Sequence, residues 1–258
     1  MSALSYAISD TAVVAQRNLR RIPRQPDLWV SFTIQPVIFV LLFVFVFGGA
    51  IQTPGYDDYV DFLMPGIIVQ TMSFGGFVTA LGLSDDLRKG LIDRFRSLPM
   101  ARSAVLAGRT LADVATNMVA LAVMIVVGVL VGFNFSSSPL EVVAGIGLLL
   151  LFGYAFSWVF AFIALNSNSA EGAQALGFMV IFPLTFASSA FVPPASMPSW
   201  LEAFAKANPF STIVDATRAL FVNAPAGNDV WVALLWCVGL IAVFATLSVY
   251  QYRRAVSS

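Results

Sequence analysis

The sequence holds no histidine, one cysteine (Cys237) and only two lysines, Lys89 and Lys206. These scarcities remove most enzyme chemistry. A serine or cysteine nucleophile is usually activated by an adjacent base such as imidazole. Transition-metal sites need clusters of imidazole or thiolate. One cysteine cannot close a disulfide within the chain. A loop that cradles phosphates, G-x-x-x-x-G-K-[ST], places its lysine after a glycine. Here Lys89 follows Arg88, and Lys206 follows Ala205. No catalytic residue, metal ligand or bound cofactor is therefore expected on this chain, and any ATP hydrolysis belongs to another one. Ion-coupled transport would leave ionisable groups deep within apolar segments. Asp61, Glu141, Glu171 and Asp229 stand at the ends of such segments instead. Asp113 lies about one turn inside, within i,i+4 reach of Arg109. The deeper polar residues are neutral: Gln35, Gln70, Thr71, Asn117, Thr185, Ser188 and Ser189. They suit either contact with an amphiphile or interhelical hydrogen bonds worth about 0.6–2 kcal/mol each.

The elements that carry these residues follow from composition. The chain is 258 residues long, 59% hydrophobic and 11% charged, with mean hydropathy +0.84. Soluble domains carry roughly 25% charge, so a polytopic membrane protein is expected. Six segments approach the roughly 20 apolar residues of a span: 28–49, 60–83, 110–132, 141–165, 172–191 and 230–251. The expected class is an all-α membrane domain over 28–251 within a single domain 1–258, with 1–27 before it and a tail, 252–258, after it. The first residues, MSALSYAISD, lack the basic and apolar regions of a signal peptide.

Charge placement orients the spans. Of 14 Lys and Arg, all but Lys206 and Arg218 fall in segments sharing one side. Cytoplasmic loops retain positive charge, so both termini are expected in the cytoplasm and the chain in the cell membrane. Residues 4–22 place Leu4, Ile8, Ala12, Ala15, Leu19 and Ile22 on one helical face. Arg17, Arg20, Arg21 and Arg24 cluster opposite, and Pro23 stops the helix. This suits an interfacial helix against lipid, or a soluble helix preceding the first span. On the other side, segment 192–229 is punctuated by Pro193, Pro194, Pro198 and Pro209. Glu202 and Lys206 stand at i,i+4, and Asp215 and Arg218 at i,i+3. Two short helices are expected there, either dipping into the outer leaflet and returning or lying outside it. Gly128-x-x-x-Gly132 and Ala173-x-x-x-Gly177 allow close helix approach, a weak signal for a contact between subunits.

The most charged stretch is SDDLRKGLIDRFRSLPMARSAVLAGRTLAD, residues 84–113. Leu87, Leu91, Phe95 and Leu98 form one apolar stripe, ended by Pro99. A helix over 85–98 is expected, with Asp85 and Asp86 at its N-terminus for capping.

The run Gly90 to Arg102 (GLIDRFRSLPMAR), then Ala107 to Asp113 (AGRTLAD), resembles type-2 ABC-transporter permeases, in particular the daunorubicin-resistance exporter branch. Ala207 to Leu220 (ANPFSTIVDATRAL) resembles that family's outer re-entrant segment, including Asn208, Pro209, Asp215 and Arg218. The resemblance covers essentially the whole chain. It implies six spans, an N-terminal interface helix, a coupling helix between spans two and three, and two re-entrant helices before the sixth span. It also implies two permease subunits, alike or merely related, and two copies of a separate ATPase that carries ATP and Mg. Nucleic acid is not an expected partner. The ATPase would dock on Asp86, Leu87, Gly90, Leu91, Arg94, Phe95, Arg96, Leu98 and Pro99. Many relatives carry E-K-E-x-G before that stretch; here Asp86, Leu87, Arg88, Lys89 and Gly90 stand there, with fewer and shifted carboxylates. By the family pattern the first, second and fifth spans surround the path, which brings in Phe39, Phe43, Gln70, Met72, Phe74, Phe178 and Phe182 for a drug, lipid or glycolipid. The alternatives are an ATPase-independent channel or secondary transporter, and a non-transporting scaffold.

Overall fold

The computed structural model describes residues 26–51, 53, 55–56, 58–88, 102–167, 169–225 and 227–257. They form α1 (Pro26–Leu42), which runs on through a π-helical turn at Phe43–Phe47, then α2 (Tyr59–Phe74), α3 (Gly76–Arg88), α4 (Arg102–Val131) and α5 (Pro139–Leu165). Next come α6 (Ala170–Phe186), a single 3-10 turn at Pro194–Ser196, α7 (Ser199–Ala207), α8 (Pro209–Val222) and α9 (Asp229–Ser257). No strand occurs among the described residues. The chain is an all-helical polytopic membrane protein.

Among the described residues four helical stretches are long and apolar enough to cross a bilayer: Tyr59–Asp85, Leu106–Val131, Pro139–Leu165 and Asp229–Tyr252. Ile34–Phe47 and Ala170–Phe186 are shorter apolar helices. The fifth expected span, 172–191, is cut back to α6, whose 17 residues at about 1.5 Å each reach roughly 26 Å. The Ala187 amide still bonds the Pro183 carbonyl, but the chain then turns through Ser188 and Ser189.

α5 is the hub. It starts with a capping box in which Ser138 and Glu141 bond each other's backbone amides, with Pro139 at the first helical position. Its sequence is apolar on all sides, as a helix surrounded by others requires. It packs against α2, α3, α4, α6, α8 and α9. The second span is likewise enclosed, with Leu63, Met64, Ile67, Ile68, Val69 and Met72 fully buried. By contrast α4 and α9 leave Met118, Val126, Leu130, Leu235, Val238 and Val243 exposed, an apolar outer surface of the kind that meets lipid or another protein.

Gly75 interrupts the helix between α2 and α3. The close approaches suggested by small residues are made within the chain. A Cβ on Gly128 would meet the Met64 side chain, and one on Gly177 would meet the rings of Phe160 and Phe77. Gly132 has φ +111° and ends α4 in the left-handed region that favours glycine.

A further expectation changes at the end of the second span. α3 continues unbroken through Asp85 and Asp86 to Arg88. Those carboxylates therefore belong to a helix already under way and do not cap a new one. Nothing between Leu83 and Arg88 breaks a helix. Of the expected coupling residues, Asp86 and Leu87 sit in the last turn of α3. Gly90, Leu91, Arg94, Phe95, Arg96, Leu98 and Pro99 lie outside the described residues, as do Arg17, Arg20, Arg21 and Arg24.

Candidate functional site

The residues expected to line the path separate into an aromatic surface and a buried interior. α1 presents Phe39 and Phe43, whose ring centroids are 6.0 Å apart. Phe43 stacks on Phe191 at 4.8 Å, Phe191 on Phe186 at 5.0 Å, and Phe186 meets Phe182 at 4.4 Å. This chain of rings joins α1 to α6. Phe74 and Phe178 meet at 5.7 Å, which joins α2 to α6. Phe178 and Phe182 are exposed. Gln70 and Phe74 line a small cleft between α1 and α2 with Gln35, Pro36, Phe39 and Thr71.

Met72 does not belong to that surface, because it is fully buried. Two residues along a helix from Gln70, it points about 200° away and faces the core. Phe77 was missed. It stacks on Phe74 at 5.5 Å and meets Phe178 at 4.7 Å and Phe160 at 4.5 Å. The i,i+3 spacing of Phe74 and Phe77 was the available signal.

Several neutral polar residues are satisfied within the helices. Thr71 Oγ1 donates to the Ile67 carbonyl at 2.7 Å, and Ser73 Oγ to the Gln70 carbonyl at 2.7 Å. Asp113 accepts from Thr79 Oγ1 on α3, which joins α4 to the second span. Arg109 Nη2 donates to the Val78 carbonyl at 3.0 Å. Among the described residues no group of three or more His, Cys, Asp or Glu could hold a metal ion.

Segment 192–229 is tied to its neighbours by several hydrogen bonds. Asn208 caps α8 by accepting from the Phe210 amide at 2.9 Å, and Pro209 takes the first helical position. Asn208 Nδ2 also donates to the carbonyls of Leu184 at 2.7 Å and Ala187 at 2.9 Å. These carbonyls lie at the end of α6, where intrahelical partners run out. At the other end of α8, the Ser136 and Ser137 amides donate to the Phe221 carbonyl at 3.1 and 3.3 Å. Asn223 there adopts φ 54°, the left-handed conformation asparagine tolerates.

Along α8, Phe210, Ile213, Val214, Ala216 and Phe221 are buried, and with them Arg218. Its guanidinium donates through Nε and Nη2 to the Phe62 carbonyl at 3.0 and 2.9 Å. Nη2 also reaches the carbonyls of Ser189 at 2.7 Å and Ala190 at 3.3 Å. Nη1 pairs with Asp215 Oδ1 at 2.8 Å, which accepts from Ser189 Oγ at 2.8 Å as well. Arg218 Cζ lies 3.7 Å from the Phe62 ring centroid, a cation–π geometry. Burial pushes the Tyr56 phenol above its usual range, while the Arg218 charge acts in the opposite sense. On α7, Glu202 and Lys206 pair at 2.7 Å. Trp200 and Phe204 on that helix are exposed.

The family profile described as ABC-2 type transporter matches residues 10–222. A daunorubicin resistance ABC transporter permease protein, DrrB1, of Streptomyces coeruleorubidus is 36% identical over 252 residues, covering 98% of this chain and 89% of the relative. A probable doxorubicin resistance ABC transporter permease protein, DrrC, of Mycobacterium tuberculosis is 25% identical over 257 residues, covering 98% and 92%. A putative transport permease, ycf38, of Cyanophora paradoxa is 25% identical over 226 residues, covering 85% and 76%. A profile spanning most of the chain, and a relative above 30% identity at nearly full length, agree with the helical architecture: the chain belongs to the ABC-2 type transporter family.

Proposed function

We propose that this chain is the permease subunit of an ABC exporter that moves a hydrophobic or amphiphilic compound outward across the cell membrane. The observation that carries the mechanism is the unbroken course of α3 from Gly76, at mid-span, to Arg88 in the charged stretch. A helix is stiff along its axis, so a push delivered at Asp85–Arg88, where α3 meets the expected coupling stretch, reaches the membrane interior. Two copies of a separate ATPase, holding ATP and Mg, supply that push. A second permease subunit, identical or related, completes the path. Six spans, counting α1 and α6, leave both termini in the cytoplasm with most of the basic residues. Outer helices α7 and α8 form the re-entrant segment. The exposed rings of Phe178 and Phe182, with Phe39, Phe43, Phe74 and Gln70, suit a substrate with a flat apolar body and few polar groups. Two relatives carry daunorubicin and doxorubicin in their names, and an amphiphilic drug of that type is the substrate class we favour.

The test is reconstitution. The chain is purified with a candidate partner ABC ATPase from the same organism and placed in liposomes with fluorescent daunorubicin. ATP-dependent flux that disappears when the ATPase is omitted is the expected result. Flux by the chain alone, driven by an ion gradient, would replace this reading with a secondary transporter.

A further inference from the structure

We propose that Arg218 is a positioning residue that clamps the outer end of the second span to the turn following α6, so that these two parts move as one body during transport. The proposal rests on the transport reading above and adds where the molecule stays closed.

A guanidinium carries five N–H groups in a fixed fork. In Arg218, Nε and Nη2 donate to Phe62 on α2, Nη2 also to Ser189 and Ala190 in the turn, and Nη1 to Asp215 on its own helix. One buried side chain thus ties three elements together. The seam around it is closed by contacts that do not involve Arg218. Tyr59 Oη donates to the Phe191 carbonyl at 3.2 Å. The Ser189 amide donates to Ser211 Oγ at 3.0 Å. Gly66 lies so near the turn that a Cβ there would come within 2.8 Å of Ala190 Cα.

Parting this seam would strand a buried cation and three carbonyls in a region poor in water, which is costly. Asp215, with its side chain 39% exposed, is the one partner with access to solvent. The inner half of the second span is held differently. Toward α4 it is hydrogen-bonded, by Thr79 to Asp113 and by Arg109 to the Val78 carbonyl, but toward α6 it packs through rings, with Phe77 against Phe178. Ring contacts have no fixed donor and acceptor, so they slide at lower cost than hydrogen bonds break. The interruption at Gly75 lies between the two regimes. The inner half, together with α4, therefore shifts against α6 while the outer seam stays closed.

The experiment joins the seam covalently. In a Cys237→Ser background, Tyr59→Cys and Val192→Cys are bridged with a short bis-maleimide, and the protein is reconstituted with its ATPase and daunorubicin. Cross-linked protein is expected to keep ATP-driven flux within about twofold of the unbridged form, and a loss of about tenfold or more overturns the clamp. Arg218→Gln, in the same background, is expected to lower flux and melting temperature when unbridged and to recover both when bridged. A Gln variant that melts like its parent, or one that the bridge fails to rescue, overturns the clamp irrespective of flux. If Arg218→Gln does not fold, the bridged parent decides alone. If the unbridged parent shows no ATP-driven flux, the transport reading fails, and the melting comparison still judges the clamp.

Discussion

The side-chain amide of Asn208 donates to the carbonyl of Leu184 at 2.7 Å, so the residue that starts α8 also finishes α6. The two helices meet at one side chain because α6 ends with unpaired carbonyls and α8 begins with unpaired amides. A single asparagine offers both an acceptor and donors. Asn208→Ala removes the cap on Phe210 and both bonds to the end of α6. It is expected to destabilise the protein by about 2 kcal/mol or more. Asn208→Asp keeps the cap yet faces the Leu184 and Ala187 carbonyls without a donor, so it gives no rescue. Thermal unfolding in detergent, followed by size exclusion, checks both.

Glycine substitutions separate packing from propensity. Gly66→Ala places a methyl group against the Ala190 backbone, which has no rotamer to relieve the clash. A loss of about 1–3 kcal/mol or more is expected. Gly239, on α9, has nothing within 4 Å of an added Cβ. Gly239→Ala should gain up to about 1 kcal/mol from helix propensity. Melting temperatures moving in the same direction for both variants would contradict the packing assigned to Gly66.

The coupling role assigned to residues 85–98 is tested by Gly90→Asp combined with Phe95→Asp. A carboxylate on the apolar stripe at Phe95, and another beside it at Gly90, should abolish co-purification of the ATPase and ATP-driven flux. Both should be lost while the melting temperature of the chain itself stays near its parent. Unchanged co-purification and unchanged flux would remove the docking site from this stretch.

Orientation is read by thiol labelling in a Cys237→Ser background. Lys206→Cys lies on α7 with its side chain 67% exposed in the native residue. A membrane-impermeant maleimide should label it in intact cells. A cysteine appended after Ser258 should be labelled only after the membrane is opened. The reverse pattern would invert the topology.

Much of the fold was legible because its signals are local. Apolar runs marked the membrane-length stretches Tyr59–Asp85, Leu106–Val131, Pro139–Leu165 and Asp229–Tyr252 to within a few residues, since burying a backbone in lipid demands a helix of sufficient length. The pairing of Asp215 with Arg218 was legible for the same reason, as both belong to one helix at i,i+3. The end of α6 was harder. Pro183 sits inside that helix, so the proline did not mark the stop. What ends α6 is the engagement of Leu184 and Ala187 by Asn208, more than twenty residues later. Asp85 and Asp86 misled in a similar way: acidic pairs favour helix starts, and only a continuous α3 showed that no start occurs there.

From the sequence alone followed the class of molecule, its helical segments, the lack of residues for ATP chemistry and the family resemblance. Each depends on composition or on neighbours along the chain. The tertiary structure alone decided which side chains the bundle encloses. It turned Met72 into the core, set Phe77 beside Phe178, and brought the Phe62 carbonyl 156 residues along the chain to Arg218. Those outcomes depend on the phase at which helices face one another and on how closely their backbones approach. Neither is a property of any single segment, so the Asp215–Arg218 pair could be recognised in the sequence while the burial of Arg218 and the carbonyls that hold it could not.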